Sequence, residues 1–208
     1  MKIDLVNAGK RFNREWIFRH VDHQFISGNS YAITGPNGSG KSTFLQVIAT
    51  STEISEGSVS YIDSNFTLQA NVIYKNISLA APYLELVEEM TLVEFLSFHN
   101  RLKAFINNID AVEIVKILGL SANQNKQIRY FSSGMKQRVK LSQAIFSDVP
   151  VVLLDEPCTN LDAPGIELYK NLIKSYCGDR LVIISSNDVQ EYDFCNEVLR
   201  LQDMKKFG

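Results

Sequence analysis

The residues Gly35-Pro36-Asn37-Gly38-Ser39-Gly40-Lys41-Ser42-Thr43 carry the densest concentration of chemistry in the chain. They follow the pattern G-x-x-x-x-G-K-[ST] in full. Glycines at these spacings let backbone N–H groups turn inward around phosphate oxygens. Lys41 then reaches β- and γ-phosphates as a cation, and the Ser42 hydroxyl is a ligand for Mg²⁺. Gly35, Asn37, Gly38, Ser39, Gly40 and Thr43 complete the expected phosphate cradle. A second candidate lies far along the chain, in Val151-Val152-Leu153-Leu154-Asp155-Glu156. An apolar run closed by two acids puts both carboxylates at the carboxyl end of a buried strand, where open α/β sheets bind ligands. Asp155 is placed to support Mg²⁺, directly or through water. Glu156 is placed to orient and deprotonate an attacking water.

These groups need elements that hold them. Gly28-Asn29 is a turn before the apolar run Tyr31-Ala32-Ile33, which ends at Gly35, and Lys41 to Ala49 has helical composition. That is strand, loop, helix, with the positive end of the helix aimed at the same anion. Residues 5–30 read as short strands and turns. Val59 to Ile62, Ile77 to Leu79 and Leu181 to Ile184 read as further strands. Thr91 to Phe105 reads as a helix opened by a Thr91/Glu94 capping box, with Leu92, Phe95, Leu96 and His99 on one face. Asp110 to Leu118 reads as a helix closed by Gly119, and Lys136 to Phe146 as another. The alternation predicts one α/β domain over residues 1–208 with a mainly parallel sheet. An antiparallel β subdomain stands at its start, and a helical subdomain is inserted at about 83–146.

Composition narrows the classes of function. A net charge of −2 and a pI near 5.9 argue against a broad nucleic-acid surface. Cys158, Cys177 and Cys195 have neither metal-ligand spacing nor an even count for a disulfide framework, so they read as reduced thiols of a cytosolic protein. No stretch is long and apolar enough to span a bilayer, and the first residues lack a signal-peptide core.

Together the two motifs resemble the ABC ATPase family over nearly the whole chain. Between them, Tyr130-Phe131-Ser132-Ser133-Gly134-Met135-Lys136-Gln137-Arg138 is similar to the family signature Leu-Ser-Gly-Gly-Gln. Ser132 and Gly134 match, whereas Phe131, Ser133 and Met135 depart. The resemblance implies that Ser132, Ser133 and Gly134 bind the γ-phosphate of ATP held by a second copy, in a head-to-tail dimer. Thr159-Asn160-Leu161-Asp162 resembles the loop that links the two sites across that dimer, through Leu161 and Asp162. Phe12 lies where the family stacks an aromatic ring on adenine, with Trp16 as a substitute.

Two accessories depart from the family pattern. Asn187, in Ser185-Ser186-Asn187-Asp188, stands where the family has a histidine on the γ-phosphate; an amide still donates a hydrogen bond but cannot become cationic. Pro82 or a neighbour, in Ala80-Ala81-Pro82-Tyr83, falls where the family has a glutamine. His20, His23 and His99 lie away from the motifs. The implied function is an ATP-hydrolysing subunit, peripheral at the inner face of a membrane and bound to integral permease subunits. The alternatives are a soluble ATPase acting on nucleic acid or ribosomes, and a slow regulatory ATP-binding module.

Overall fold

The structure, a computed structural model, describes residues 1–203. It has nine strands: β1 (Lys2–Phe12), β2 (Glu15–Ile26), β3 (Ser30–Thr34), β4 (Glu56–Asp63), β5 (Phe66–Thr67), β6 (Ile77–Ala80), β7 (Val151–Asp155), β8 (Leu181–Ser185) and β9 (Glu197–Arg200). The helices are α1 (Lys41–Ile48), α2 (Ala70–Ile73), α3 (Leu92–Leu102), α4 (Ala111–Ile117), α5 (Ser133–Phe146) and α6 (Ala163–Tyr176). Strands β2-β1-β4-β5 form an antiparallel sheet, and β6-β7-β8-β3-β9 form an all-parallel one.

The parallel sheet is the positioning device. Every residue of β7 and β8 is buried, as expected of strands covered on both faces. Alternation splits their side chains between two cores. Val151 and Leu153 join Phe18, Phe25 and Phe44 toward the antiparallel sheet, whereas Val152 and Leu154 join Leu92, Leu96 and Tyr169 toward the helical side. The order places β8 between β7 and β3, so the carboxyl ends carrying Asp155, Ser185 and the phosphate loop lie side by side. Ser185 is in register with both Asp155 and Ile33.

The start of the chain differs from the expected short strands: β1 and β2 form one long hairpin, bent by irregularities in register between Leu5 and Arg11. The Thr91 helix also ends earlier than expected. Its capping box is present, with the Glu94 carboxylate accepting from the Thr91 N–H at 2.8 Å, and Leu92, Phe95 and Leu96 are buried. It stops at Leu102 because the next residues serve the sheet side. Lys103 Nζ donates to the carbonyls of Ile77 and Tyr74, and Phe105 enters the core while bridging Ser147. Gly119 closes α4 with a φ of +70°, as its position predicts. Helix α5 begins three residues before Lys136, capped by Ser132, whose hydroxyl accepts from the Met135 N–H at 3.3 Å.

Candidate active site

The phosphate loop takes the shape that its glycines allow. Gly35, Gly38 and Gly40 have φ of +153°, +77° and +101°. At Gly40 a Cβ would lie 2.1 Å from Ile17 Cγ2, so no larger residue fits there. Lys41 is buried, and its ammonium donates to the Gly35 carbonyl at 2.8 Å. Its charge is parked on the loop that it would leave to meet a phosphate. Ile17, Asn37, Gly38, Gly40, Lys41, Ser42, Thr43 and Glu156 line a cavity of about 260 Å³.

Asp155 is 2% exposed and its Oδ1 has no hydrogen-bond partner among the described residues. A buried carboxylate oxygen with no protein partner, at the end of a strand that leads into Glu156 of the phosphate-loop cavity, fits a hard divalent cation. Among the described residues no group of three or more His, Cys, Asp or Glu could hold a metal by itself. A cation here would therefore draw ligands from water and from phosphate, as Mg²⁺ does. Glu156 has the left-handed φ of +45°, and its N–H donates to the Ser185 carbonyl at 2.8 Å. The turn carries its side chain off the strand line, where it lines the phosphate-loop cavity and a second one of about 320 Å³.

Asn187 joins the phosphate loop directly. Its Oδ1 accepts from the Gly35 N–H at 3.2 Å and its Nδ2 donates to Asn37 Oδ1 at 3.0 Å. Ser132 and Ser133 are exposed at the start of α5 and do not line the phosphate-loop cavity. A Cβ on Gly134 would lie 2.9 Å from the Asn160 carbonyl oxygen, which accounts for glycine there. Gln137, buried in α5, donates to the Pro157 carbonyl at 2.7 Å. Asp162 caps α6 by accepting from the Gly165 N–H at 3.0 Å and pairs with Arg138. Phe12 is 49% exposed near the β1–β2 hairpin, with Lys10 Nζ 4.7 Å from its ring centre, and does not line the phosphate-loop cavity.

Three residues near the site carry no motif signal. Ile17 covers the loop from β2. Tyr83 stands beside Pro82 in the segment that matches the family's glutamine position. Burial raises its phenol pKa, a hydrogen bond with the Gln46 side chain lowers it, and the Asp155 charge raises it. Glu191 is buried, and its carboxylate accepts from the Cys158 N–H at 2.7 Å. Desolvation raises its pKa, and repulsion from Asp188 and Glu156 adds to the effect.

A parallel sheet with a glycine-rich phosphate loop after β3 and two acids at the carboxyl end of β7, one strand away across β8, defines a nucleoside-triphosphate hydrolase of the phosphate-loop class. The sequence model of the ABC transporter family matches residues 18–159, and the chain belongs to that family as an ATP-binding, ATP-hydrolysing subunit. It is 28% identical to the uncharacterized ABC transporter ATP-binding protein YhcH of Bacillus subtilis, over 98% of this chain and 68% of the relative. It is 29% identical to the cytochrome c biogenesis ATP-binding export protein CcmA of Reclinomonas americana, over 92% and 86%. The fold matches an ATP-binding cassette solved as a dimer in a post-hydrolysis state bound to ADP and Pi. The TM-score is 0.81 at 23% identity, over 98% of this chain and 95% of that one.

Proposed function

We propose that this chain binds MgATP on the 35–43 loop and closes head to tail on a second copy. Hydrolysis then reopens the pair and drives motion in integral membrane subunits. The observation that carries the reading is a division of labour. The phosphate loop and Glu156 line one cavity, with Asp155 immediately before Glu156 at the end of β7, whereas Ser132, Ser133 and Gly134 of the same chain lie outside it. A second copy would bring its exposed Ser132 hydroxyl and its α5 N-terminus to the open, γ-phosphate side. Asp155 and Ser42 would hold Mg²⁺, which supplies charge neutralisation between the β- and γ-phosphates. Lys41 leaves the Gly35 carbonyl for the phosphates. Glu156 takes the proton of the water that attacks the γ-phosphorus, and its left-handed turn sets the direction of approach.

Among the described residues no helix is long and apolar enough to cross a membrane. In this reading the chain sits at the inner face of the membrane, held by integral partner subunits. The groove between Pro82, Glu85, Leu86 and α5 is open for such contact. Isothermal titration with a non-hydrolysable ATP analogue tests the site. Wild type binds with Mg²⁺-dependent affinity, and Lys41→Ala weakens it by at least about tenfold, since a charge-assisted contact to phosphate is lost. Equal affinities would place the nucleotide elsewhere.

A further inference from the structure

We infer that Asn187 is a positioning residue that latches the phosphate loop and thereby sets affinity for nucleoside diphosphates and triphosphates alike. The inference rests on the nucleotide reading of the site and changes what Asn187 does within it. A side chain after β8 that reads the γ-phosphate should point at open space above the loop. Asn187 instead spends both halves of its amide on the loop itself, accepting from the Gly35 N–H and donating to Asn37 Oδ1.

Its base is fixed. The Ser186 N–H donates to the Ile33 carbonyl at 3.1 Å, tying the segment to the strand that launches the loop, and the Ser186 hydroxyl accepts from the Asp188 N–H at 2.9 Å. The Gly35 peptide is thus gripped at both ends, its N–H by Asn187 and its carbonyl by Lys41. When the Lys41 ammonium moves to phosphate, the carbonyl grip is lost. Asn187 then remains to hold a glycine whose φ of +153° other residues avoid. An amide suits this task because it offers an acceptor and a donor together, and a protonated imidazole offers donors only. The latch acts on the loop that cradles the α- and β-phosphates as well, so its effect does not depend on a γ-phosphate.

ADP separates the two roles. Titration of wild type and Asn187→Ala with MgADP and with a non-hydrolysable MgATP analogue should show both affinities falling by a similar factor of about ten, as expected for two lost hydrogen bonds of ordinary net strength. Unchanged ADP affinity overturns the latch, whether or not the ATP analogue weakens. Asn37→Ala and the double variant close a cycle. Coupling in ADP affinity of about threefold or more supports the Asn37–Asn187 bond, and additive losses refute it. If Asn187→Ala does not fold, Asn37→Ala removes the same bond from the other side and should weaken ADP by about threefold; unchanged affinity there also overturns the latch. Failure of the parent reading looks different, because wild type itself would then bind neither nucleotide.

Discussion

Glu156 offers a test in which stability and turnover move in opposite directions. Its backbone sits at φ +45°, a region where a non-glycine residue is strained by its own Cβ. That strain costs roughly 1–2 kcal/mol, and glycine relieves it. Glycine also gives the unfolded chain about 0.5–1 kcal/mol of extra entropy, so the net gain from Glu156→Gly is about 0.5–1 kcal/mol. Removing the carboxylate beside Asp155 adds a charge effect of its own. Glu156→Gln removes the charge and keeps the strain, so the difference between the two variants isolates the backbone. For a chain of this size the gain corresponds to about 1–4 °C in melting temperature.

Thermal and urea melts of the nucleotide-free protein measure it, and turnover is read in parallel. Both variants should lose about 10²- to 10⁴-fold in ATP turnover, because neither can take a proton from water. Glu156→Gly melting at or below Glu156→Gln would refute the strain argument. Normal turnover in either would remove Glu156 from the base position.

The Gly40→Ala variant should bind nucleotide poorly and lose about 1–3 kcal/mol of stability, since its Cβ would lie 2.1 Å from Ile17 Cγ2 at φ +101°. Ile17→Ala in the same chain removes that Cγ2 and should recover part of the loss in a melt; no recovery would mean that the backbone angle alone sets the cost. His99 governs acid stability. Burial, then the Lys103 charge, lowers its pKa to about 4. Its Nδ1 accepts from Gln143 at 3.0 Å and its Nε2 meets the Ser147 hydroxyl at 2.9 Å, an arrangement that suits the neutral ring. The unfolded chain takes up this proton near pH 6.5 and the folded chain only near 4, so stability falls as pH drops through that window, by roughly 2–3 kcal/mol. Melts of wild type and His99→Gln between pH 7 and 4 should converge on acidification, and a gap independent of pH would refute the assignment.

The parts of the site that were legible share one property: they are local. The phosphate loop, the capping box at Thr91 and the apolar run before Asp155 each declare themselves within a few residues, because backbone chemistry and burial on both faces act over that range. Helix α6 carries an equally local signal. Asp162 caps it, Pro164 stands in its first turn, and Ile166, Tyr169, Leu172 and Ile173 recur at helical spacing. Asp162 belongs both to the Thr159–Asp162 loop and, as its cap, to the helix, so the loop resemblance masks the helix start. Strand β9, Glu197-Val198-Leu199-Arg200, lies at the sheet edge with most of its residues exposed, and its composition does not announce a strand. Ile17, Tyr83 and Glu191 reach the site only through tertiary packing, which no spacing along the chain encodes.

The same contrast explains why ordinary local rules fail where the chemistry is. Glu156 takes a left-handed turn, Gly35 and Gly40 allow no Cβ, and Asp155 buries an oxygen with no partner. Each feature disfavours the empty fold, and each sits at the carboxyl end of β3 or β7. A folded chain tolerates such groups when surrounding structure over-determines them, and here β8 supplies that support. Through Ser185 it holds the Glu156 N–H, and through Ser186 it anchors Asn187, whose amide holds Gly35. The strand between the two motifs is therefore what makes them one site. This is also why a side chain after β8 can act on the phosphate loop without touching the nucleotide. Bound phosphate and a cation would relieve both the parked lysine and the orphaned carboxylate, so the ligand completes a structure that the chain alone leaves unsatisfied.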